Sequence, residues 1–298
     1  MFRPLATVFN KLFRMQQWYV GWARAPLQRF IDDPASIEFT WIIPRDKRVF
    51  IADPFGVEAP DGHLIILAEK LVQGRSHGEI VRIDTRDPDA SSWVPLLRKP
   101  WHLSYPYIVQ DGARRFVVPE QGASGTVSAY PLNERLEIDP TPSWTLPDCP
   151  ALDSSPFFHD GRWWMFSARR GQPHWGGPLL LHHAPALEGP WTAHPMNPVV
   201  TDYGRARPGG RVISSEGRLL RPAQDCARVY GEGSVIHEIL ELTPTRYAER
   251  TLRRISPQDL RAPQGVGCHH LDHTGSHVLV DAMRFVWHPL AWWYKWRS

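Results

Sequence analysis

The chain has 298 residues, of which 42% are hydrophobic, and this is enough apolar material for a full-sized folded core. Its 29 prolines and 22 glycines are spread along the whole sequence, which excludes a long helical bundle and favours one large all-β domain. The formal net charge is only +3, from 34 basic and 31 acidic residues without a concentrated basic stripe, so nucleic acid is not an expected partner.

The three cysteines, Cys149, Cys226 and Cys268, are far apart and give neither a disulfide framework nor a CxxC metal site. They indicate a reducing compartment, so we expect a cytoplasmic protein or one at the inner membrane surface. The basic, apolar start of the chain lacks the uninterrupted apolar core of a secretory signal. No stretch approaches the ~18 apolar residues of a transmembrane helix.

Taken in chain order, five segments share one pattern, in which a polar residue precedes an apolar run, a glycine turn and a second apolar run. The segments cover residues 52–69, 103–120, 152–169, 206–225 and 268–284. The turn glycines are 49 to 58 residues apart: Gly62, Gly112, Gly161, Gly217 and Gly275. A glycine turn between two β-rich runs is a strong signal for a hairpin, because the turn residues need positive φ. The sequence therefore predicts five hairpins at a regular interval.

Further β-rich runs lie between the hairpins and supply two more strands to each unit. They are 81–85 with 93–97, 127–132 with 143–146, 179–184 with 191–194, and 237–243 with 247–255. Four strands in each of five units is typical of a five-bladed β-propeller, whereas a β-sandwich gives no reason for a period of ~50 residues. We predict an all-β propeller over residues 41–298, and over residues 1–40 a partly helical extension that packs on it.

The chemistry is expected where the innermost strands enter the propeller, because these positions crowd one mouth of its channel. The polar residues that enter or leave the five hairpins there are Asp53, Glu69, Ser104, Tyr105, Glu120, Asp153, Arg169, Arg207, Gln224, Asp225, His269, His270 and Asp281. A ring of acids and arginines on one axis is costly unless the charges pair or serve a ligand. Any single member is equally well explained as a turn cap or a bridge between blades, but the whole set favours a polar binding site.

Several motifs carry a resemblance to a known family. ADPF (52–55), HLSYPYIVQDG (102–112), VPEQ (118–121), LDSSPFFHDGRWWMFSA (152–168), ARPGGRV (206–212) and LLRPAQDCARVYG (219–231) occur in this order. Together they resemble the five-bladed N-terminal domain of plant glucosamine inositolphosphorylceramide transferases and bacterial relatives, over nearly the whole chain. That domain is similar in turn to the propellers of family-43 glycosidases. The transfer activity of the plant proteins belongs to a separate glycosyltransferase domain, so the resemblance does not carry that activity over.

The glycosidase resemblance implies three catalytic roles. It assigns Asp53 as the general base, Asp153 as the orienting carboxylate and Glu120 as the proton donor. The family order is Asp, Asp, Glu, whereas here the glutamate precedes the second aspartate, and Glu69 is the next candidate for the acid. The implied function is a glycoside hydrolase-like enzyme, acting by hydrolysis, glycosyl transfer or phosphorolysis on a glycan or glycolipid in surface-polysaccharide metabolism. The alternative is a non-catalytic glycan-binding module that assists a partner glycosyltransferase.

The expected substrate is acidic or phosphorylated, because the guanidinium groups of Arg207 and Arg221 suit a phosphate or carboxylate. The alternative for both is a buried ion pair that locks the blades together. The other expected substrate contacts are Glu69, His102, Ser104, Tyr105, Trp175, Gln224, Asp225, His269 and His270. Trp175 is included because it lies in a glycine-rich segment, and loops hold ligands.

No metal or other cofactor is predicted. The run Cys268–His273 contains one cysteine and three histidines, but strand alternation divides the potential ligands between two faces, and neither face has a zinc set.

The two ends of the chain have their own composition. The last 14 residues, FVWHPLAWWYKWRS, combine aromatic rings with Lys295 and Arg297, and the first residues are also basic and apolar. This composition suits peripheral contact with a membrane–water interface. The alternative is that the two ends close the propeller by pairing with each other or by packing beneath it.

Overall fold

The computed structural model describes residues 12–59, 61–170 and 176–297. They form five antiparallel sheets of four strands each, arranged as the blades of a β-propeller. The predicted fold class is therefore confirmed. Neither helix within these ranges is long and apolar enough to cross a bilayer.

The chain begins in the last blade and then builds the other four in order. Before the first complete blade come β1 (Arg14–Arg24), α1 (Leu27–Asp32), a 3-10 turn (Pro34–Ser36) and β2 (Thr40–Ile42). Blade one contains β3 (Val49–Glu58), β4 (Leu64–Val72), β5 (Glu79–Asp84) and β6 (Val94–Leu97). Blade two contains β7 (Ser104–Asp111), β8 (Arg114–Glu120), β9 (Val127–Pro131) and β10 (Trp144–Leu146), with a 3-10 turn at Gly122–Ser124.

The second half of the chain continues the pattern. Blade three contains β11 (Ala151–His159), β12 (Arg162–Arg169), β13 (Leu179–Ala184) and β14 (Thr192–Ala193). Blade four contains β15 (Ile213–Ser215), β16 (Arg218–Asp225), β17 (Gly233–Leu242) and β18 (Tyr247–Ile255). Blade five contains β19 (Leu271–Thr274), β20 (His277–Trp287), β1 and β2, and α2 (Ala291–Arg297) follows it.

The hairpins form where the glycine turns predict them. All five turn glycines have positive φ, between 53° and 79°. At Asp160–Gly161 both central residues lie in the left-handed region, which is what the tight two-residue hairpin turn requires. The regular spacing of these turns in the sequence thus reports one hairpin in each blade.

The predicted domain boundary at residue 41 has to be corrected, because no separation between an extension and the propeller lies there. Strand β1 pairs with β20 from Arg14↔Trp287 to Arg24↔His277, and β2 pairs with β1, so most of the predicted extension lies inside blade five. Of the two alternatives for the chain ends, closure of the propeller by pairing is therefore seen in the structure. The helical part of the extension is α1, whose buried Leu27 and Phe30 pack with side chains of blades four and five.

Aromatic side chains fill the axis of the propeller. The hydroxyl of Tyr105 in blade two lies 3.0 Å from the Ser155 hydroxyl of blade three and accepts the N–H of Gly210 at 2.9 Å. The Tyr105 ring also contacts the rings of Phe55 and His270, from blades one and five. Because one side chain joins the centres of all the blades, this cluster forms a solid floor under the mouth of the channel.

Candidate active site

The inner strands of blades one, two and three share an irregularity at the point where they enter the axis. In each, the register of the first hairpin slips, and one residue adopts a left-handed backbone: Asp53, Tyr105 and Asp153, with φ of 53°, 45° and 52°. A β-bulge re-aims a side chain, and a left-handed non-glycine residue carries strain of about 1–3 kcal/mol that often marks a functional site. The repeated bulge therefore marks this end of the axis as the candidate site.

A cavity of about 430 Å³ opens at this end, and all five blades contribute to its wall. It is lined by Trp18, Phe50, Ala52, Asp53, Glu69, His102, Ser104, Glu120, Ala123, Leu152, Arg170, Arg207, Tyr230 and His269. The structure thus brings seven of the predicted site residues together around one space: Asp53, Glu69, His102, Ser104, Glu120, Arg207 and His269. Trp175 lies outside the described residues.

Asp53 is a buried carboxyl group at the base of the cavity. Its Oδ2 accepts the backbone N–H of Tyr105 at 3.1 Å, and its Oδ1 lies 3.8 Å from Nε2 of His269. Burial raises the pKa of Asp53 to about 8, since the attraction of His269 offsets only part of the burial and of the repulsion by neighbouring carboxylates. Asp53 can therefore exchange a proton with a ligand near neutral pH.

Glu120 lies in the wall contributed by blade two. Its Oε1 accepts the N–H of Gly122 at 2.8 Å, and its Oε2 accepts the Ser104 hydroxyl at 3.2 Å. Burial, together with the charge of Asp153, raises the pKa of Glu120 above its usual value. A β-carbon at residue 122 would lie 2.8 Å from Oε1, so glycine is what permits this close approach.

Glu69 and His102 form a second acid–imidazole pair in the wall. Nε2 of His102 lies 3.2 Å from Oε1 of Glu69. Burial lowers the pKa of the His102 ring, whereas the charge of Glu69 acts in the opposite direction and raises it. The N–H of Gly78, however, points at Nδ1 from 3.0 Å, and this contact needs a lone pair there. The hydrogen-bond geometry therefore favours the neutral ring, with its proton on Nε2 and donated to Glu69.

Asp153 does not line the cavity but lies directly behind Arg207. Its Oδ2 accepts Nε of Arg207 at 2.5 Å and Nε2 of Gln224 at 2.9 Å. The Arg207 guanidinium in turn lies 5.3 Å from the centre of the Tyr230 ring, which is within cation–π range. Asp153 and Gln224 thus position a cation in the cavity wall and need no contact with a ligand.

Two predicted substrate contacts lie beneath the cavity. Tyr105 belongs to the aromatic floor, where its hydroxyl is already bonded. His270 is buried in the same cluster, and burial lowers its pKa to about 3, so its ring is neutral. Both side chains were expected to contact a ligand. The structure corrects this, because both lie in the aromatic cluster beneath the cavity and do not line it.

Arg221 and Asp225 lie away from the cavity. Arg221 is buried between blades three and four, where Nε and Nη2 each bond Glu249 at 2.8 Å and the guanidinium stacks over Phe166. It lies on the strand face of Leu219, which packs in the core between these blades. Asp225 pairs with the exposed Arg254. Arg221 is thus in a buried ion pair, as the alternative proposed, but its partner Glu249 belongs to the same blade, and Arg221 does not face the cavity as the anion-binding prediction required.

Sequence reasoning missed the aromatic part of the wall. The Trp18 ring stacks on His269 with ring centres 4.1 Å apart, and the Tyr230 ring meets His269 edge-on at 5.2 Å. Trp18 belongs to β1, whose partner strand is more than 250 residues away, so no local pattern identifies it. Tyr230 is the penultimate residue of the motif LLRPAQDCARVYG, and that motif was the available signal.

Asp281 organises the blade-five side of the site. Its Oδ1 accepts the N–H groups of His269 and His270 at 2.9 and 3.0 Å, and its Oδ2 lies 2.6 Å from Nδ1 of His269. Burial acts against both charges, yet the Asp281 charge raises the pKa of His269 and the His269 charge lowers that of Asp281. Ligand atoms of Asp53, His269 and Asp281 lie within 4.8 Å of one another, as a cation site would need. We assign no ion to them, because Asp281 is already engaged by the backbone.

The comparison with known proteins identifies the family. A family model described as the N-terminal part of glucosamine inositolphosphorylceramide transferase 1 matches residues 45–279. The glucosamine inositolphosphorylceramide transferase 1 of Oryza sativa subsp. indica is 30% identical over 234 residues, covering 75% of this chain and 31% of that protein. Its Arabidopsis thaliana counterpart is 28% identical over 242 residues, with 75% and 30% covered. The chain thus spans about a third of the length of these relatives.

Solved structures with the same architecture include two carbohydrate enzymes. An exo-β-1,3-galactanase from Clostridium thermocellum has a TM-score of 0.53 at 11% identity, over 72% of this chain and 52% of that one. A family 117 glycoside hydrolase from Zobellia galactanivorans has a TM-score of 0.52 at 14% identity, over 92% and 90%. At such low identity the likeness shows the fold alone. The match over residues 45–279 is what decides the family: the chain belongs to the family of the N-terminal domain of glucosamine inositolphosphorylceramide transferase 1.

Proposed function

We propose that this propeller is a carbohydrate-active enzyme that acts on a glycosidic bond by carboxylate acid–base chemistry. The observation that carries the proposal is the presence of two carboxyl groups with raised pKa, Asp53 and Glu120, in the wall of one open cavity. Cleavage or transfer at a glycosidic bond needs one carboxyl group to protonate the leaving oxygen and a second to act as base or nucleophile. The rings of Trp18 and Tyr230 add apolar surface beside these groups for the face of a sugar.

The roles follow from the contacts of each group. Asp53 is the proposed base, because the Tyr105 N–H fixes its Oδ2 and its Oδ1 faces the imidazole of His269. Glu120 is the proposed proton donor, since burial favours its protonated form. Asp153 is a positioning residue that acts through Arg207.

The proposed substrate carries an anionic group. Arg170 and Arg207 both line the cavity, and Arg207 is held rigid by Asp153. A fixed guanidinium binds phosphate or carboxylate in a fork geometry that a hydroxyl does not match. The curated relatives are named for an inositolphosphorylceramide, and for this chain we propose the same chemical class, the phosphate-bearing headgroup of a glycolipid, in surface-polysaccharide or glycolipid metabolism.

The alternative function is a glycan-binding module without catalysis, which assists a partner glycosyltransferase. It is favoured by one observation: both oxygens of Glu120 already accept hydrogen bonds within the protein. A carboxyl group engaged in this way orients a ligand more readily than it donates a proton.

A panel of neutral, acidic and phosphorylated glycosides separates the two functions. Binding is measured by calorimetry and released sugar by mass spectrometry, for the wild type and for Asp53→Asn and Glu120→Gln. Asp225→Asn serves as the control, because this predicted site residue lies outside the cavity. We expect release by the wild type, about 100-fold slower in both variants and unchanged in the control. Binding without release of sugar would identify a glycan-binding module. Absence of both binding and release would refute the carbohydrate assignment.

A further inference from the structure

The C-terminal helix α2 presents its largest side chains to solvent. Ala291 is buried and Tyr294 half-buried, and both pack against Met15 and Val286 at the end of the β1–β20 ladder. The opposite side carries Trp292 and Trp296, which are 47% and 77% exposed. The helix is held by contacts of Ala291 and Tyr294, and packing against the propeller does not explain why its tryptophans face the solvent.

These tryptophans belong to a larger apolar surface, which we call the aromatic rim. It consists of Leu12, Phe285, Trp287, Leu290, Trp292, Trp293 and Trp296. Among the described residues, half of all exposed large hydrophobic side chains and every exposed tryptophan fall in this set. Such a concentration is typical of an interaction surface, since isolated exposed apolar residues are normally scattered.

The aromatic rim lies on the same face of the propeller as the cavity. Strand β20 leaves the hairpin turn at Gly275, passes the cavity at Asp281 and continues for six more residues to Trp287, a distance of roughly 20 Å. The Tyr294 ring also packs against Gly74, where a β-carbon would lie 2.8 Å from it. Gly74 follows β4, the strand that brings Glu69 to the cavity.

The charge of the surrounding sequence is entirely positive. Residues 1–31 contain five basic and no acidic residues, and residues 282–298 contain three basic and none acidic. Two exposed cations belong to the same segments as the aromatic rim: Arg14 and Lys295. The guanidinium of Arg14 lies 4.5 Å from the centre of the Phe285 ring, so cation and aromatic side chains are directly combined. The remainder of the chain, residues 32–281, has more acidic than basic residues.

We propose that the aromatic rim docks on the interface of an anionic lipid bilayer, with the mouth of the cavity turned towards the membrane. Tryptophan prefers the headgroup region of a bilayer, and basic residues beside it are attracted to anionic lipids. A second copy of the chain is a poorer occupant, because a two-fold interface would place the same basic residues opposite one another. This docking does not depend on the reaction proposed for the cavity.

Flotation of the full chain with lipid vesicles tests the proposal. Vesicles of phosphatidylcholine alone are compared with vesicles containing phosphatidylglycerol, and tryptophan quenching by brominated lipid reports insertion. We expect binding to the anionic vesicles, weaker binding to the neutral ones, and a loss of about tenfold or more in the double variant Trp292→Ser/Trp296→Ser. Phe158→Ser is the matched control, because Phe158 is 57% exposed but lies beside the hairpin turn of blade three, on the opposite face. It should bind like the wild type.

Three results would overturn the proposal. They are absence of wild-type flotation with anionic vesicles, equal binding by the double variant, and equal loss in the Phe158→Ser control. Sedimentation velocity without lipid tests the alternative that a second copy of the chain covers the aromatic rim. If the wild type is a dimer that does not bind vesicles, and the double variant is a monomer, the aromatic rim is a contact surface for a second copy of the chain. Circular dichroism melts of all variants confirm that each one is folded before its binding is compared.

Discussion

The carboxyl groups of the site differ in what surrounds them more than in their own chemistry. Asp53 accepts one backbone N–H and is buried beside other carboxylates, so it retains its proton up to about pH 8. Asp281 accepts three backbone N–H groups, from Asp53, His269 and His270, and faces the His269 ring, so it stays charged although it is buried. Two aspartates at the same end of the axis are thus tuned in opposite directions by hydrogen bonds and neighbouring charge.

A pH profile tests the role of Asp53. A base works only when deprotonated, and burial raises the pKa of Asp53 to about 8. Because Glu120 must keep its proton while Asp53 loses its own, we expect a bell-shaped profile of kcat/KM, with one limb near pH 8 that is due to Asp53 and is absent in Asp53→Asn. Initial rates on one glycoside across the pH range measure this. A limb near pH 8 that is unchanged in Asp53→Asn would show that Asp53 does not act in the reaction.

The Arg221–Glu249 pair gives a prediction about stability. Arg221→Ala leaves the buried Glu249 with only the longer ion pair to Arg205 at 3.8 Å, so we expect the free energy of unfolding to fall by about 3 kcal/mol. Arg254→Ala, which breaks the more exposed pair with Asp225, should change it by less than about 1 kcal/mol. Urea titrations of both variants measure the difference.

The same pair also gives a pH dependence. Burial opposes the charge of Glu249, but Arg221 lowers its pKa from 4.5 to about 2. A lowered carboxyl pKa stabilises the fold above pH 4.5, and this stabilisation is lost as the pH falls towards 2. The difference in the free energy of unfolding between the wild type and Arg221→Ala should therefore become smaller as the pH falls from 4.5 towards 2. Unchanged stability together with weaker binding of an acidic glycan would return Arg221 to the ligand site.

At the scale of strands and turns, local signals predicted most of the fold. The glycine turns and the β-rich runs indicated four strands in each of the first four blades, because each of those blades is continuous in sequence. Blade five was incomplete, since β1 pairs with β20 across the whole chain and no periodicity reports a partner at that distance. The same limit hid Trp18 from the predicted site.

The sequence predicted which side chains line the cavity where strand entry points decide position, and it failed to do so where side-chain direction decides it. Asp53 and Glu120 line the cavity, as the ends of their strands suggested. Arg221 has the same residue type and the same following proline as Arg207, but it lies on a strand face that packs on blade three. Residue type and motif therefore indicated which end of the channel holds the cavity. Only the strand register decides whether a side chain lines the cavity or packs behind it.

The turn after β8 offers a test at this scale. Gly122→Ala adds a β-carbon 2.8 Å from Oε1 of Glu120 and removes the room for the present carboxyl position. We expect a loss of about 10–100-fold in kcat with little change in melting temperature, because only a catalytic group is displaced. Gly204→Ala is the control, since its new carbon would lie 3.2 Å from Asp202, outside the cavity wall. Equal activity of Gly122→Ala and wild type would contradict the role of Glu120.

At the scale of the whole molecule, the ring is held closed by β1. The strand pairs with β20 along its full length and its buried side chains, Met15 and Val20 among them, pack within and beside the last blade. Without it, β20 becomes an exposed edge, and blade five is reduced to a single hairpin.

A truncated chain that begins at residue 25 should therefore lose more stability than any single substitution described above. The expected result is a melting transition that is lowered by at least about 10 °C or is absent, with early hydrogen exchange in β20. Differential scanning calorimetry and exchange mass spectrometry measure both. A truncated chain with the wild-type transition would show that β1 is an accessory strand.

Closure of the ring by its first strand has a consequence for synthesis. Among the described strands β1 is synthesised before the others, and more than 250 residues separate it from its partners in β20. At roughly 5–20 residues per second, the strand waits on the order of 10–50 s for that partner. During this time β1 can pair with β2 at Val20 to Trp22, but Trp18 and Tyr19, both buried in the finished protein, still lack their neighbours in β20. The edge of β1 that faces β20 is thus among the last edges of the described sheets to be covered.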